Sequence, residues 1–137
     1  MEYVIGAVLA LAVSAFATDV GFERDRAFYP TVLIVIASYY DLFGVMGGSI
    51  RALWLELAGT TAFLLVAIFG FKRNLWWVVG ALVAHGVFDF FHAGLIADPG
   101  VPPWWPKFCL AFDVVAGAYL AWRLGAAKIP AKAEPRL

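Results

Sequence analysis

The sequence predicts an all-α integral membrane protein: a bundle of five transmembrane helices, amino terminus outside and carboxy terminus in the cytoplasm. Three observations carry that expectation. Hydrophobic residues make up 64% of the 137 positions and charged residues only 15%, more apolar surface than a water-soluble domain of this size needs. Five apolar stretches, 3–20, 30–47, 52–71, 75–97 and 108–124, can each cross a hydrocarbon core of roughly 30 Å at about 1.5 Å per residue. The connections are short, so residues 1–125 form a single domain and 126–137 a cytoplasmic tail.

The first stretch resembles a secretory signal around Ala15-Phe16-Ala17, but acidic Glu2 stands where a signal peptide carries Lys or Arg, so a retained span is expected. Glu23-Arg24-Asp25-Arg26 makes a polar turn, and Pro30 suits the first turn of the second helix. Gly47-Gly48-Ser49 is a breaker cluster short enough to force spans two and three into an antiparallel hairpin. Lys72-Arg73-Asn74 makes another tight turn, after which Trp76 and Trp77 fall at headgroup level. Between Asp98 and Lys107, Pro99, Pro102, Pro103 and Pro106 favour extended, polyproline-like backbone, and Trp104 and Trp105 make the segment apolar. It is expected to anchor at the interface or to line an entrance to the bundle. The tail after Arg123, with Pro130 and Pro135, is expected to be exposed and weakly ordered.

Arg24, Arg26, Lys72, Arg73, Arg123, Lys128, Lys132 and Arg136 fall on one side of the five spans; only Arg51 and Lys107 fall on the other. The positive-inside rule puts the larger set in the cytoplasm. A multi-pass protein of the cell membrane, of the bacterial inner-membrane kind, is expected, with the lipid bilayer as its partner. The formal net charge of zero gives no attraction to nucleic acid, and a lone Cys109 excludes an internal disulfide.

Asp41, Glu56, His85, Asp89, His92 and Asp113 lie inside the apolar stretches, where an ionisable group needs a partner or a role. Counted inward from the nearest connection, Asp41, Glu56, His92 and Asp113 all fall roughly 7–9 Å below the outer surface, a shared polar layer. Small residues occupy the same helical faces: Ala37 and Gly44 beside Asp41, Ala52 and Gly59 beside Glu56, Ala116 and Gly117 beside Asp113. Such residues line helix contacts in membranes, so the acids point inward. His85, Asp89 and His92, spaced by four and three, share one stripe of the fourth helix. The two histidines are roughly 10 Å apart along the axis, so one ion with ligands at about 2.0–2.2 Å is expected to take a pair, Asp89 with His92 or His85 with Asp89, joined by acids from neighbouring spans.

Asp89 and His92 are the expected centre, with Glu56 as a third candidate catalytic residue. Asp41, Glu56, Asp89, His92 and Asp113 are candidate ligands for a divalent transition metal ion, since imidazole and carboxylate suit zinc, iron or manganese. Asp41, His85, Asp113, Trp104 and Trp105 are candidate contacts for a small apolar or lipid-like ligand. Without a metal the same groups could hold and transfer protons, with His85 as a deeper relay. Taken singly, an intramembrane Asp is as often a hydrogen-bonded packing residue, and His85 alone reads as a bonded core histidine. Two other classes remain open: a transporter or proton-coupled channel, which so small a bundle would form as a homo-oligomer, and an accessory subunit whose acids pair with a partner's helices.

Five short spans rich in tryptophan resemble, in architecture, the tryptophan-rich sensory and translocator proteins. Five spans with intramembrane His and acids are also similar to the sterol-isomerase type of membrane protein, where such groups shuttle protons beside a lipid. No ordered motif of either family matches residue by residue, so no residue role follows from the likeness.

Overall fold

In the computed structural model, which describes residues 1–134, five helices form where the apolar stretches predict them. They are α1 (Glu2–Val20), α2 (Phe28–Met46), α3 (Ile50–Lys72), α4 (Trp76–Leu95) and α5 (Trp105–Gly125). All five are long and apolar enough to cross a membrane. Local signals set several ends. Gly21 closes α1 in the left-handed region at φ 90°, which costs glycine no Cβ clash. Ser49 caps α3, its hydroxyl accepting the Ala52 N–H at 3.2 Å.

The connection before α5 departs from the expected extended form. Helix α4 stops at Leu95 and α5 already starts at Trp105, because Pro106 falls in the first turn, where a proline's missing N–H is no loss. Between them the chain folds into turns. The Gly100 N–H donates to Asp98 Oδ1 at 2.9 Å, and the Trp105 N–H to the Pro102 carbonyl at 3.0 Å. The loop lies so close over the end of α2 that a Cβ on Gly100 would collide with the Phe43 carbonyl oxygen.

Helix α4 is the hub, packing against α5, α3 and α2, while α1 packs on α5 and α2 on α3. Its buried positions, Val78, Ala81, Leu82, His85, Gly86, Asp89 and His92, recur at steps of three and four. They therefore form one continuous stripe along the bundle interior. Helix α1 offers α5 a stripe of small residues, Gly6, Ala10, Ser14 and Ala17, and a Cβ on Gly6 would strike the Phe108 carbonyl. Close backbone approach of this kind replaces the hydrophobic drive that is missing between helices in lipid.

The distribution of polarity is inverted relative to a water-soluble protein. Leu65, Val8 and Trp122 are 62%, 60% and 58% exposed, whereas Asp89 and Asp113 are fully buried. That much outward apolar surface would drive aggregation in water and is suited to hydrocarbon. Length, composition and this inversion together describe a multi-pass membrane protein.

Residues 126–134 are better ordered than expected. The Leu75 N–H donates to the Ala131 carbonyl, Asn74 bridges Lys132, and Ile129 is only 3% exposed. Buried Arg26 holds the segment: its Nε, Nη1 and Nη2 donate to the carbonyls of Pro130, Phe71 and Ala131 at 2.8–3.0 Å. A guanidinium supplies a planar fork of donors that no short polar residue could match. Pro135 and Arg136 lie outside the described residues. At the same end Arg123 pairs with Glu23, tying α5 to the turn after α1.

Candidate functional site

Three helices place the polar core. Helix α4 presents His85 and Asp89 one turn apart, α5 presents Asp113, and α2 presents Tyr40. His85 Nδ1 bonds Asp113 Oδ2 at 2.6 Å and lies 3.3 Å from Asp89 Oδ2. One ligand atom from each of His85, Asp89 and Asp113 lies within 4.8 Å of the others, and all three residues are buried. Donors around one ion at about 2.0–2.2 Å stand no more than about 4.4 Å apart, so a small contraction would gather them. The Tyr40 hydroxyl donates to Asp89 Oδ1 at 2.5 Å. Asp89 Oδ2 and Asp113 Oδ1 are buried without a hydrogen-bond partner. A buried carboxylate oxygen left this way is costly unless another group satisfies it.

A second pair sits nearer the end of α4. His92 Nε2 bonds Glu56 Oε1 of α3 at 2.6 Å, both side chains being buried. The Tyr40 ring stacks on the His92 imidazole, with centroids 4.3 Å apart and planes inclined by 24°. Tyr40 thus touches both clusters, His92 through its face and Asp89 through its hydroxyl. A void of about 10 Å³ lies between them, walled by Tyr40, Glu56, Thr60, Phe63, His85 and Phe88. It is close to the least space that one water occupies. Phe63 packs edge-on to His85 at 4.7 Å, and Phe88 edge-on to His92 at 5.5 Å, which keeps bulk water out.

The geometry rearranges the expected constellation. Asp89 is paired with His85 and Tyr40, and His92 with Glu56, so Asp89 and His92 belong to two clusters although they lie on one stripe. Nor do Glu56, His92 and Asp113 share a level. From the helix ends near the α2–α3 turn, at about 1.5 Å per residue, His92 lies roughly 5 Å in, Glu56 and Asp89 roughly 9 Å, Asp113 roughly 12 Å and His85 roughly 15 Å. The even depth followed from counting His92 inward from Asp98 and Asp113 from Lys107, whereas α4 ends three residues before Asp98 and α5 begins two residues before Lys107. Asp113 therefore reaches down to His85.

Asp41 stands apart. It is only partly buried, and the Thr60 hydroxyl sits 3.0 Å from both Asp41 Oδ1 and the Ala37 carbonyl, its one proton shared between two acceptors. Its neighbour Tyr40 occupies the buried stripe of α2, with Leu33, Ile36, Ala37 and Phe43. Asp41 is turned about 100° away from that position. Tyr40, one of several tyrosines whose hydroxyls could bond into the core, is the one that joins the polar cluster, and the three-and-four spacing of the buried stripe is its signal.

Trp104 and Trp105 also separate. Trp104 is 48% exposed. Trp105 packs on Tyr39 and Phe43 and helps wall an apolar groove of about 390 Å³ between α1, α2 and α5. Cys109 also lines this groove, one turn before Asp113, so the groove comes within a helical turn of the polar core. Comparison with protein-family models, curated proteins and solved structures returns no match for this chain.

Proposed function

We propose that this protein of the cell membrane, of the bacterial inner-membrane kind, holds one divalent transition metal ion on His85, Asp89 and Asp113. The centre would serve acid/base or metal-assisted chemistry on a small apolar ligand. The observation that carries the reading is the convergence of one imidazole and two carboxylates from two helices, buried, with two carboxylate oxygens that accept no hydrogen bond. Two ionised carboxylates this close and out of water repel, and a divalent cation neutralises them. A nitrogen and oxygen donor set suits zinc, iron or manganese. Tyr40 would orient Asp89 from outside the ligand set, as hydrogen-bonded partners of metal ligands do. Glu56 and His92, across the void from His85, would hold or pass a proton beside the centre. The apolar groove at Trp105 and Cys109 would accept the ligand from the hydrocarbon.

The reading places the amino terminus outside and the Lys/Arg-rich end in the cytoplasm, on the eight-to-two split of basic residues. Elemental analysis of purified protein tests the centre. About one equivalent of zinc, iron or manganese is expected, lost in His85→Ala and Asp113→Asn variants that still extract as folded protein. A wild type free of transition metal after growth with each ion, or variants that retain it, would reject the assignment.

A metal-free acid/base site is the second reading, favoured by the direct 2.6 Å contact between His85 and Asp113, which can hold a proton between them. A continuous transport path has less support. Toward the Lys/Arg-rich end the buried positions of α4 beyond His85 are Leu82, Ala81 and Val78.

A further inference from the structure

At the opposite end from the α2–α3 turn, three segments that are distant in sequence enclose a cavity of about 820 Å³. The α1–α2 connection contributes Arg24, Asp25 and Arg26, the end of α3 contributes Lys72, and the segment after α5 contributes Lys132 and Glu134. Four cationic side chains thus face two carboxylates across one opening. Among the described residues none of the four cations forms a salt bridge, whereas Arg123 at the same end is paired with Glu23. Asp25 is engaged locally, its Oδ1 accepting the Ala27 N–H at 3.0 Å.

The cavity is built rather than incidental. Arg26 is held at φ 70°, a conformation uncommon outside glycine, and its three bonds to backbone carbonyls lock the walls together. The Asn74 to Lys132 bridge and the Ala133 N–H to Arg73 carbonyl bond fix the third wall. Four cations against two carboxylates leave the opening with an excess of positive charge, and Arg24, Lys72 and Lys132 held there without a salt bridge cost energy that an anion would recover.

We propose that this cavity binds a phosphate group, carried by an anionic membrane lipid or free in solution. Arg24, Lys72 and Lys132 supply charge-assisted hydrogen bonds, with the Arg24 guanidinium suited to grip phosphate oxygens as a fork, while Arg26, engaged with three carbonyls, adds its positive charge from the wall. A cavity at the end of the spans, where lipid headgroups lie, would meet that group without any part of the site entering hydrocarbon. Neither the metal centre nor its occupancy enters this inference.

Native mass spectrometry in neutral detergent tests it, with phosphatidylglycerol as the probe and phosphatidylcholine as the uncharged comparison. One phosphatidylglycerol is expected to bind saturably and in preference to phosphatidylcholine. A basic residue near a headgroup contributes roughly 1 kcal/mol, so Arg24→Gln and Lys132→Gln should each weaken binding about five-fold. Lys128→Gln, exposed on the same segment but outside the cavity, should change it less than two-fold. A second arm adds inorganic phosphate. Displacement at millimolar concentration identifies the free anion as sufficient, and resistance to it identifies the lipid as the ligand. Binding that never saturates, or a loss in Lys128→Gln equal to that in Lys132→Gln, would leave only diffuse surface attraction and overturn the proposal.

Discussion

Removing one oxygen atom separates a metal centre from a merely satisfied polar core. Tyr40→Phe deletes the hydroxyl that donates to Asp89 Oδ1 at 2.5 Å but keeps the ring stacked on His92 and packed against Phe43 and Phe88. Asp89 Oδ2 has no hydrogen-bond partner, so the variant leaves the carboxylate with only its 3.3 Å contact to His85 Nδ1. A hydrogen bond to a charged group contributes about 1.5–3 kcal/mol, roughly one to two powers of ten in a binding constant. Loss of a partner outside a metal's ligand set costs a similar 10- to 100-fold or so in affinity. Competition with a chelator of known affinity, read by elemental analysis at fixed pH, should show the variant's metal affinity down by that factor with stoichiometry unchanged at saturation. Tyr39→Phe is the control: Tyr39 is 40% exposed, and no side-chain hydrogen bond involves it among the described residues. Equal retention in Tyr40→Phe and wild type would mean that Tyr40 does not orient a ligand. Equal loss in the two tyrosine variants would trace the effect to disturbance of α2.

Glu56→Ala leaves His92 buried without its partner and should lower stability by about 3–5 kcal/mol. Thermal unfolding in detergent should show a large fall, most of it recovered in the Glu56→Leu/His92→Leu double variant, while metal bound at His85 persists. Gly6→Ala forces α1 off the Phe108 carbonyl and should cost about 1–3 kcal/mol. Gly59→Ala, whose Cβ would meet nothing within 4 Å, should be neutral or slightly stabilising in the same unfolding assay. Arg26→Ala removes three carbonyl contacts and, at two such bonds' worth, should release residues 126–134 by at least about 3 kcal/mol. Limited trypsin digestion at Lys128 and Lys132 should then run on the order of 100-fold faster, and Arg26→Lys should not restore protection, since one ammonium cannot span three acceptors.

Span number, the sharp turns at Gly47-Gly48-Ser49 and Lys72-Arg73-Asn74, and burial of the ionisable residues were legible because each depends on local pattern. The His85, Asp89 and His92 stripe was legible too, since spacings of four and three fix a helical face. Pairing between helices was not. It depends on the relative rotation and axial offset of the rods: α4 ends three residues before Asp98 and α5 begins two residues before Lys107, so His92 lies shallower and Asp113 deeper than counting from the connection suggests. Asp41 misled for a similar reason: charge singled it out, whereas the packing face belonged to its neighbour Tyr40. The docked segment 126–134 was hidden because Pro130 and a position after the last span suggested an exposed, weakly ordered end. Its order comes from Arg26, roughly a hundred residues earlier in the chain.

The one-turn separation of His85 and Asp89 has a consequence for how the chain enters the bilayer during synthesis. An isolated Asp at a helix centre raises the insertion free energy by about 2.5–3.5 kcal/mol, and α4 must be threaded before Asp113 has been made. With Nδ1 and Oδ2 only 3.3 Å apart along a single rod, imidazole and carboxylate can neutralise one another from the moment α4 forms. The nascent helix thus carries its own counter-ion until α5 arrives. Moving either residue by two positions would keep the composition identical and burden the translocon with two orphaned groups.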